Sequence, residues 1–208
     1  MSAVYCDKEG LIVATDGHRL HMSTVEQGVS WHIRRRAIIA ILQAWDKGQE
    51  IAVSADGGAL YCNGFIIVSR AIARKFVPYK NIIPKNKYEM KISFVATKEI
   101  VQTIKSMDLV YKKKNYKGKV ETLHSALRIE VKWGEVYLSS DTPDGQRVEA
   151  RLDGKVEGAY LTFGVNPKYL IDALQVGEYV SVSIFDDKYS PVEVTCEDNV
   201  AYIGRVRL

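Results

Sequence analysis

The sequence predicts an α+β protein in which one strand, one helix and three further strands recur as a βαβββ unit with antiparallel sheets. Three observations predict it. Apolar residues fall at the i, i+3, i+4, i+7 spacing of a half-buried helix in three places: Ile38, Ile41, Leu42 and Trp45; Ile100, Val101, Ile104 and Met107; Tyr169, Leu170, Ala173 and Leu174. Each stripe follows one strand-like run and precedes three. Asp56-Gly57-Gly58 and Asn63-Gly64 supply the turns of a β-meander, because glycine takes a positive φ without penalty. Three copies at a spacing of roughly 60 to 70 residues, with the trailing strands of a fourth ahead of them, describe a chain that buries its core by stacking like units.

Taken in order, the chain opens with three strand-like runs, Ala3 to Cys6, Leu11 to Thr15 and Arg19 to Thr24. Trp31 to Ile33 then leads into a helix from Arg34 to Asp46, which Gly48 is expected to end. Strands at Glu50 to Ser54, Ala59 to Cys62 and Phe65 to Ala73 complete the first unit. In the second, Tyr88 to Phe94 precedes a helix capped by Thr97, and strands follow at Ala126 to Val131, Glu135 to Ser139 and Arg147 to Leu152. Between them the basic run from Lys112 to Lys119 reads as a loop. In the third, Ala159 to Val165 precedes a helix with Asn166 as its N-cap and Pro167 at its first position, where a missing N–H costs nothing. Tyr179 to Phe185, Val192 to Cys196 and Ala201 to Val206 are its strands.

Composition limits the function classes. The 208 residues are 47% hydrophobic and 26% charged, enough for one large domain or two small ones. No apolar run is long enough to span a membrane, and the polar opening Met1 to Gly10 lacks the layout of a secretory signal, so a cytoplasmic protein is expected. Cys6, Cys62 and Cys196 are odd in number and share no CxxC spacing, which predicts small core residues rather than disulfides or a zinc site. Asp16, His18 and His21 invite a metal or acid–base reading. Alternation along a strand separates the two histidines, however, and no third ligand stands at a familiar spacing. His32 and His124 read as isolated polar positions, and Asp141 to Gly145 as a turn. With no phosphate loop or nucleophile elbow either, no catalytic residue, metal or cofactor is expected.

The run Ala14-Thr15-Asp16-Gly17-His18-Arg19-Leu20 is more particular than a solvated hairpin requires. It resembles a signature of the middle domain of the bacterial DNA polymerase III beta subunit, the sliding-clamp family. Phe76 to Asn86 is similar to that family's linker between its middle and last domains, with Val77-Pro78 where Pro-Asp is common. Val165 to Leu174 resembles the second helix of the last domain, and the chain ends in Arg207-Leu208 as clamps do, although Gly204-Arg205-Val206 replaces the usual Met-Pro-Met. The resemblance covers nearly everything from Leu11 onward. It implies the DNA-clamp fold, with sheets outside and helices on the inner face of a ring. Residues 1–86 would be an incomplete clamp domain and 87–208 a complete one. The chain would be a clamp shortened at its N-terminus, by nature (a phage protein, for instance) or by an artificial or misassigned start.

The same resemblance implies a function: a replication accessory that tethers DNA polymerase and other replication proteins to double-stranded DNA without sequence preference. Peptides from polymerase and clamp loader would bind a cleft formed by Thr15, Gly17, His18, Arg19 and Leu20 on one side. Asn166, Tyr169, Tyr189, Pro191, Ile203, Val206, Arg207 and Leu208 would form the other. Arg36, Lys47, Lys98, Lys105 and Lys168 lie opposite the apolar stripes of the three helices and fit a surface that follows phosphates without reading bases. A ring would require a homo-oligomer. The alternative reading is a monomeric clamp-derived module that binds partner peptides without encircling DNA.

Overall fold

The computed structural model describes residues 3–26, 30–46, 48–70, 72, 75–114, 118, 120–187 and 189–208. The chain divides into two compact units, Met1–Asn81 and Ile82–Leu208.

In the first unit, β1 (Ala3–Cys6), β2 (Leu11–Thr15) and β3 (Arg19–Thr24) form an antiparallel meander whose free side at β1 is taken by β4 (Trp31–Arg34). Helix α1 (Arg35–Ala44) follows directly, then a second meander of β5 (Ala52–Val53), β6 (Ala59–Cys62) and β7 (Phe65–Val68). A small core of Ile33, Ala37, Ile41, Leu60 and Cys62 lies between α1 and this meander. The predicted helix is too long at both ends, and its stripe is misplaced. Ala37 and Ile41 are buried and Ile38 packs beside them, whereas Leu42 and Trp45 are exposed. Gly48 does not end the helix. The backbone is already extended at Trp45, whose indole N–H donates to the Gln49 carbonyl at 2.7 Å, and Gly48 serves the turn that follows at φ 94°.

The second unit starts with β8 (Tyr88–Val95) and α2 (Lys98–Ser106). Thr97 caps α2 by accepting from the Ile100 N–H, with Glu99 in its first turn and Lys105 in its last, the favourable polarity for the helix dipole. The lysine run is not a loop throughout. Val110–Lys114 (β9) pairs with Val120–His124 (β10), an edge-type hairpin in which lysine is tolerated; Lys117 and Lys119 lie outside the described residues. β11 (Leu127–Lys132), β12 (Glu135–Asp141), β13 (Arg147–Leu152) and β14 (Lys155–Gly158) come next. β15 (Thr162–Val165) leads into α3 (Pro167–Leu174), capped by the Asn166 side chain accepting from the Lys168 N–H, and β16 (Tyr179–Phe185), β17 (Val192–Cys196) and β18 (Asn199–Ile203) close the unit. The short strand β14 has no counterpart in the predicted series.

Sheet order shows how the two copies in this unit combine. β15, from the second copy, joins the first copy's meander as β13-β12-β11-β15, and β8, from the first, joins the second as β14-β8-β16-β17-β18. Each copy thus lends its leading strand to the other. Helices α2 and α3 pack together, and one core runs from Met90, Ile92 and Ile104 through Leu127 and Leu138 to Leu170, Leu174, Val182 and Ile203. Cys6, Cys62 and Cys196 are buried and free, as their spacing predicts.

Candidate functional site

The hairpin between β2 and β3 closes on the pair Thr15 and Leu20. Its tip is held from within. The Asp16 carboxylate accepts from the backbone N–H groups of His18 at 3.0 Å and Arg19 at 3.1 Å and pairs with the Arg19 guanidinium at 3.0 Å. Burial alone would raise the Asp16 pKa; these hydrogen bonds and the arginine charge outweigh it and hold the carboxyl below its usual range. Thr15 Oγ1 donates to the Arg19 carbonyl at 2.6 Å and accepts from the Gly17 N–H, with Gly17 at φ 94°. Asp16 and Thr15 are therefore spent on shape. Gly17 and His18 face solvent, Arg19 is partly covered, and Leu20 is buried beneath the turn, where it supports the loop rather than offering surface. His18 precedes β3, so strand alternation governs only His21, which sits opposite Ala14.

In the second unit, Asn166 is spent on capping α3, Tyr169 is half-buried against the core, and Ile203 is fully buried. Tyr189 is 82% exposed, on a turn where Asp187 accepts from its backbone N–H at 2.9 Å, and Pro191 is half-buried. The C-terminal residues are held to β15: the Val206 N–H donates to the Gly164 carbonyl at 2.8 Å. A Cβ at Gly164 would stand 2.7 Å from the Val206 carbonyl oxygen and 2.8 Å from Leu208, so this strand glycine permits the close approach. Beyond it, Arg207 and Leu208 line a cleft of about 330 Å³ with Ser125, Ala126, Arg128, Asp141, Thr142 and Pro143. The tail therefore joins a group that the sequence reading missed. Gly164 was the available signal, a glycine inside an otherwise β-branched and aromatic strand. Arg205 is engaged as well, donating to the Phe185 carbonyl at 2.8 Å.

Arg36, Lys98, Lys105 and Lys168 are all exposed on their helices; Lys47 lies outside the described residues. The outward side of α2 presents Lys98, Glu99, Gln102, Thr103 and Ser106. A further cluster was not predicted. Tyr5 stacks on Phe76 at 5.0 Å between ring centroids, and His32, read from sequence as isolated, meets both rings edge-on at 6.1 and 5.4 Å. Next to it the Tyr79 hydroxyl donates at 2.7 Å to the buried Asp7 carboxylate, which also caps the Glu9 and Leu11 N–H groups, with Lys80 3.7 Å away. Burial alone would raise the Asp7 pKa, but those bonds and Lys80 bring it below the usual carboxylate range. Among the described residues no group of three metal-ligating side chains gathers, and no helix is long and apolar enough to cross a membrane.

Residues 80–202 match the family model described as the DNA polymerase III beta subunit, C-terminal domain. The chain is 24% identical over 199 residues to the beta sliding clamp of Proteus mirabilis, covering 91% of this chain and 50% of that protein. It is 21% identical over 202 residues to that of Escherichia coli K12, covering 92% and 52%. It thus spans about half the length of these relatives. Among solved structures, a putative DNA polymerase III beta subunit from Eubacterium rectale superposes with a TM-score of 0.79 at 16% identity, over 100% of this chain and 57% of that one. The Bacillus subtilis sliding clamp gives 0.77 at 21%, over 100% and 56%.

Proposed function

The chain belongs to the DNA polymerase III beta-subunit family of sliding clamps, and from that premise we propose that it acts in the cytoplasm as a non-enzymatic accessory of DNA replication, holding a polymerase and other replication proteins on double-stranded DNA. The carrying observation is the helix pair α2 and α3. Packed together over one core, the two helices turn Lys98, Lys105 and Lys168 to solvent beside the uncharged Gln102, Thr103 and Ser106, with Glu99 as the acidic member of that side of α2. Such a surface draws phosphates and offers nothing that discriminates bases.

Partner peptides from polymerase and clamp loader bind, in this reading, through His18 and Arg19 on the hairpin and through Tyr169, Tyr189, Pro191, Val206, Arg207 and Leu208. Thr15, Gly17, Leu20, Asn166 and Ile203 hold these in shape, since their own groups are buried or engaged in the local fold. Aromatic anchors dominate interfaces of this kind, so Tyr169→Ala should weaken binding of a labelled polymerase-derived peptide by roughly 1 to 3 kcal/mol. His18→Ala tests the hairpin side. Leu20→Ala does not serve, because truncating a buried leucine reports stability instead. Undiminished peptide affinity in both Tyr169→Ala and His18→Ala would remove the site. Retention on circular DNA that survives salt would support encirclement, whereas peptide binding without any DNA retention would favour the peptide-binding module.

A further inference from the structure

A cleft of about 630 Å³ in the first unit opens onto Tyr5, Trp31, His32 and Phe76. Its volume is that of a small-molecule site. Stacking at 5.0 Å covers one face of Tyr5 and one of Phe76, and the buried Tyr79 ring adjoins both, at 6.4 and 6.2 Å between centroids. The four side chains that open onto the cleft all keep exposed surface. A second wall is the turn from Ser54 to Gly58, which Gly57 brings against β4: a Cβ there would stand 3.1 Å from the His32 backbone nitrogen and 3.2 Å from the Trp31 Cβ. In that turn the Ser54 hydroxyl at 2.7 Å and the Gly58 N–H at 2.9 Å both donate to Asp56 Oδ1 and hold the carboxyl below its usual range. Oδ2 of this exposed carboxylate is the oxygen that a ligand's hydroxyl or amino hydrogen would meet. Of the two lysines that line the cleft, Lys80 is paired with Glu9 at 2.9 Å and lies 3.7 Å from Asp7, so the exposed Lys75 is the one placed to meet an anion. Arg34, on the same face of β4 as His32, adds positive charge nearby, where its guanidinium donates to the Arg70 carbonyl at 3.3 Å.

We propose that this cleft binds a single nucleotide, with the base against Trp31, His32 and Phe76, a sugar hydroxyl or exocyclic amine at Asp56, and the phosphate at Lys75. A nucleotide uses every kind of group that the cleft offers. Its base has a π-face for the rings, its hydroxyls and amines donate to a carboxylate that can only accept, and its phosphate accepts from an ammonium. Other ligands use fewer. A purely apolar molecule engages the rings alone, and a cation meets Asp56 but is repelled by Lys75 and Arg34. An acidic aromatic peptide satisfies the rings and Lys75 but brings a second carboxylate toward Asp56. None of the lining residues belongs to the lysine surface of α2 and α3 or to the partner-peptide residues, so this site and the proposed clamp function stand or fall separately.

The test is a titration of the intact chain followed by the NMR ring-proton shifts of Trp31, His32 and Phe76. AMP should shift them saturably, with half-saturation below about 1 mM, adenosine should do so more weakly, and inorganic phosphate alone should leave them in place. Lys75→Glu, on an exposed side chain, should weaken AMP about fivefold and leave adenosine unchanged. Asp56→Asn keeps the acceptor that shapes its turn and should weaken both ligands about threefold. A 5′-phosphorylated, unpaired thymidine tetramer identifies the source of the nucleotide: the site takes a strand end if the tetramer binds more tightly than TMP and displaces AMP, and a free nucleotide if it does not. No saturable shift up to about 10 mM AMP, the same shifts from inorganic phosphate, or AMP affinity unchanged in Lys75→Glu would each overturn the site. Binding of the peptide Asp-Trp-Leu-Glu at these residues with no nucleotide bound would overturn it in favour of a peptide.

Discussion

The two units are built from one kind of repeat and end in different states of completion. In the second unit, two copies exchange leading strands, α2 lies on α3, and both sheets share one core. Among the described residues the first unit carries one α-helix. Its β4-β1-β2-β3 sheet matches β15-β11-β12-β13 strand for strand, but among the described residues no strand stands beside β5 as β8 stands beside β16, and no helix lies against α1 as α2 lies against α3. The consequences are local and visible. Leu42 and Trp45 are exposed, the core reduces to a few side chains, and α1 begins at Arg35 with no side-chain cap from Arg34 and no acidic residue in its first turn. A meander and a helix do not by themselves make a closed core; the borrowed strand and second helix do.

The largest expected effect tests that contrast directly. Leu170→Ala in α3 removes a fully buried side chain from the shared core and should cost roughly 2 to 5 kcal/mol of unfolding free energy. Leu42→Ala in α1, half exposed, should cost under about 1 kcal/mol. Chemical denaturation of the two variants measures both. Equal losses would mean that the outer flank of α1 is covered in solution, and the contrast between the units would fail.

Much of this was legible in the sequence, for identifiable reasons. The first three strands and β16 and β17 run where turn residues and alternation put them, and Thr97 and Asn166 cap as their hydroxyl and amide groups predict. The errors fall where tertiary context overrides local pattern. Leu42 and Trp45 satisfy a helical period but stay exposed, since a stripe in sequence says nothing about whether a second helix is present to cover it. The lysines of β9 concealed a strand because charge on an edge is compatible with pairing. The hairpin residues were found as a group, but their division of labour was not. Only the fold shows that Asp16 is spent on Arg19, Leu20 on the core, and that Arg207 and Leu208 join Thr142 and Arg128.

A middle-sized effect sharpens the comparison from the other side. The first unit holds a buried polar clasp with a charged member, Tyr79 on Asp7, whereas the buried polar side chains of the second are neutral hydroxyls such as Ser125 and Ser140. Tyr79→Phe removes one hydrogen bond to a charged group and should cost about 1.5 to 3 kcal/mol at neutral pH. Asp7 has a folded pKa below its unfolded value, so its contribution is present above about pH 4 and is lost as pH falls through the folded pKa. In Tyr79→Phe that folded pKa moves up, so the penalty should shrink toward zero in acid. Stability measured from pH 2 to 7 checks this, and a penalty independent of pH would show that Asp7 is held by other groups.

The smallest effect concerns DNA, and it asks whether the units contribute alike. Lys98, Lys105 and Lys168 are exposed on the helices of the second unit, and Arg36 on the one helix of the first. Each cation that neutralises a phosphate releases counterions, so its loss should lower the slope of log affinity against log salt by about 0.9. If the three lysines follow phosphates alone, replacing all three by alanine should lower that slope by about 2.7, with the same change on any DNA sequence. Arg36→Ala isolates the first unit. A further drop of about 0.9 would place α1 in the same phosphate-following surface, and an unchanged slope would confine DNA contact to the second unit. A triple variant that keeps the full slope, or one that loses affinity for some sequences and not others, would refute contact through these lysines.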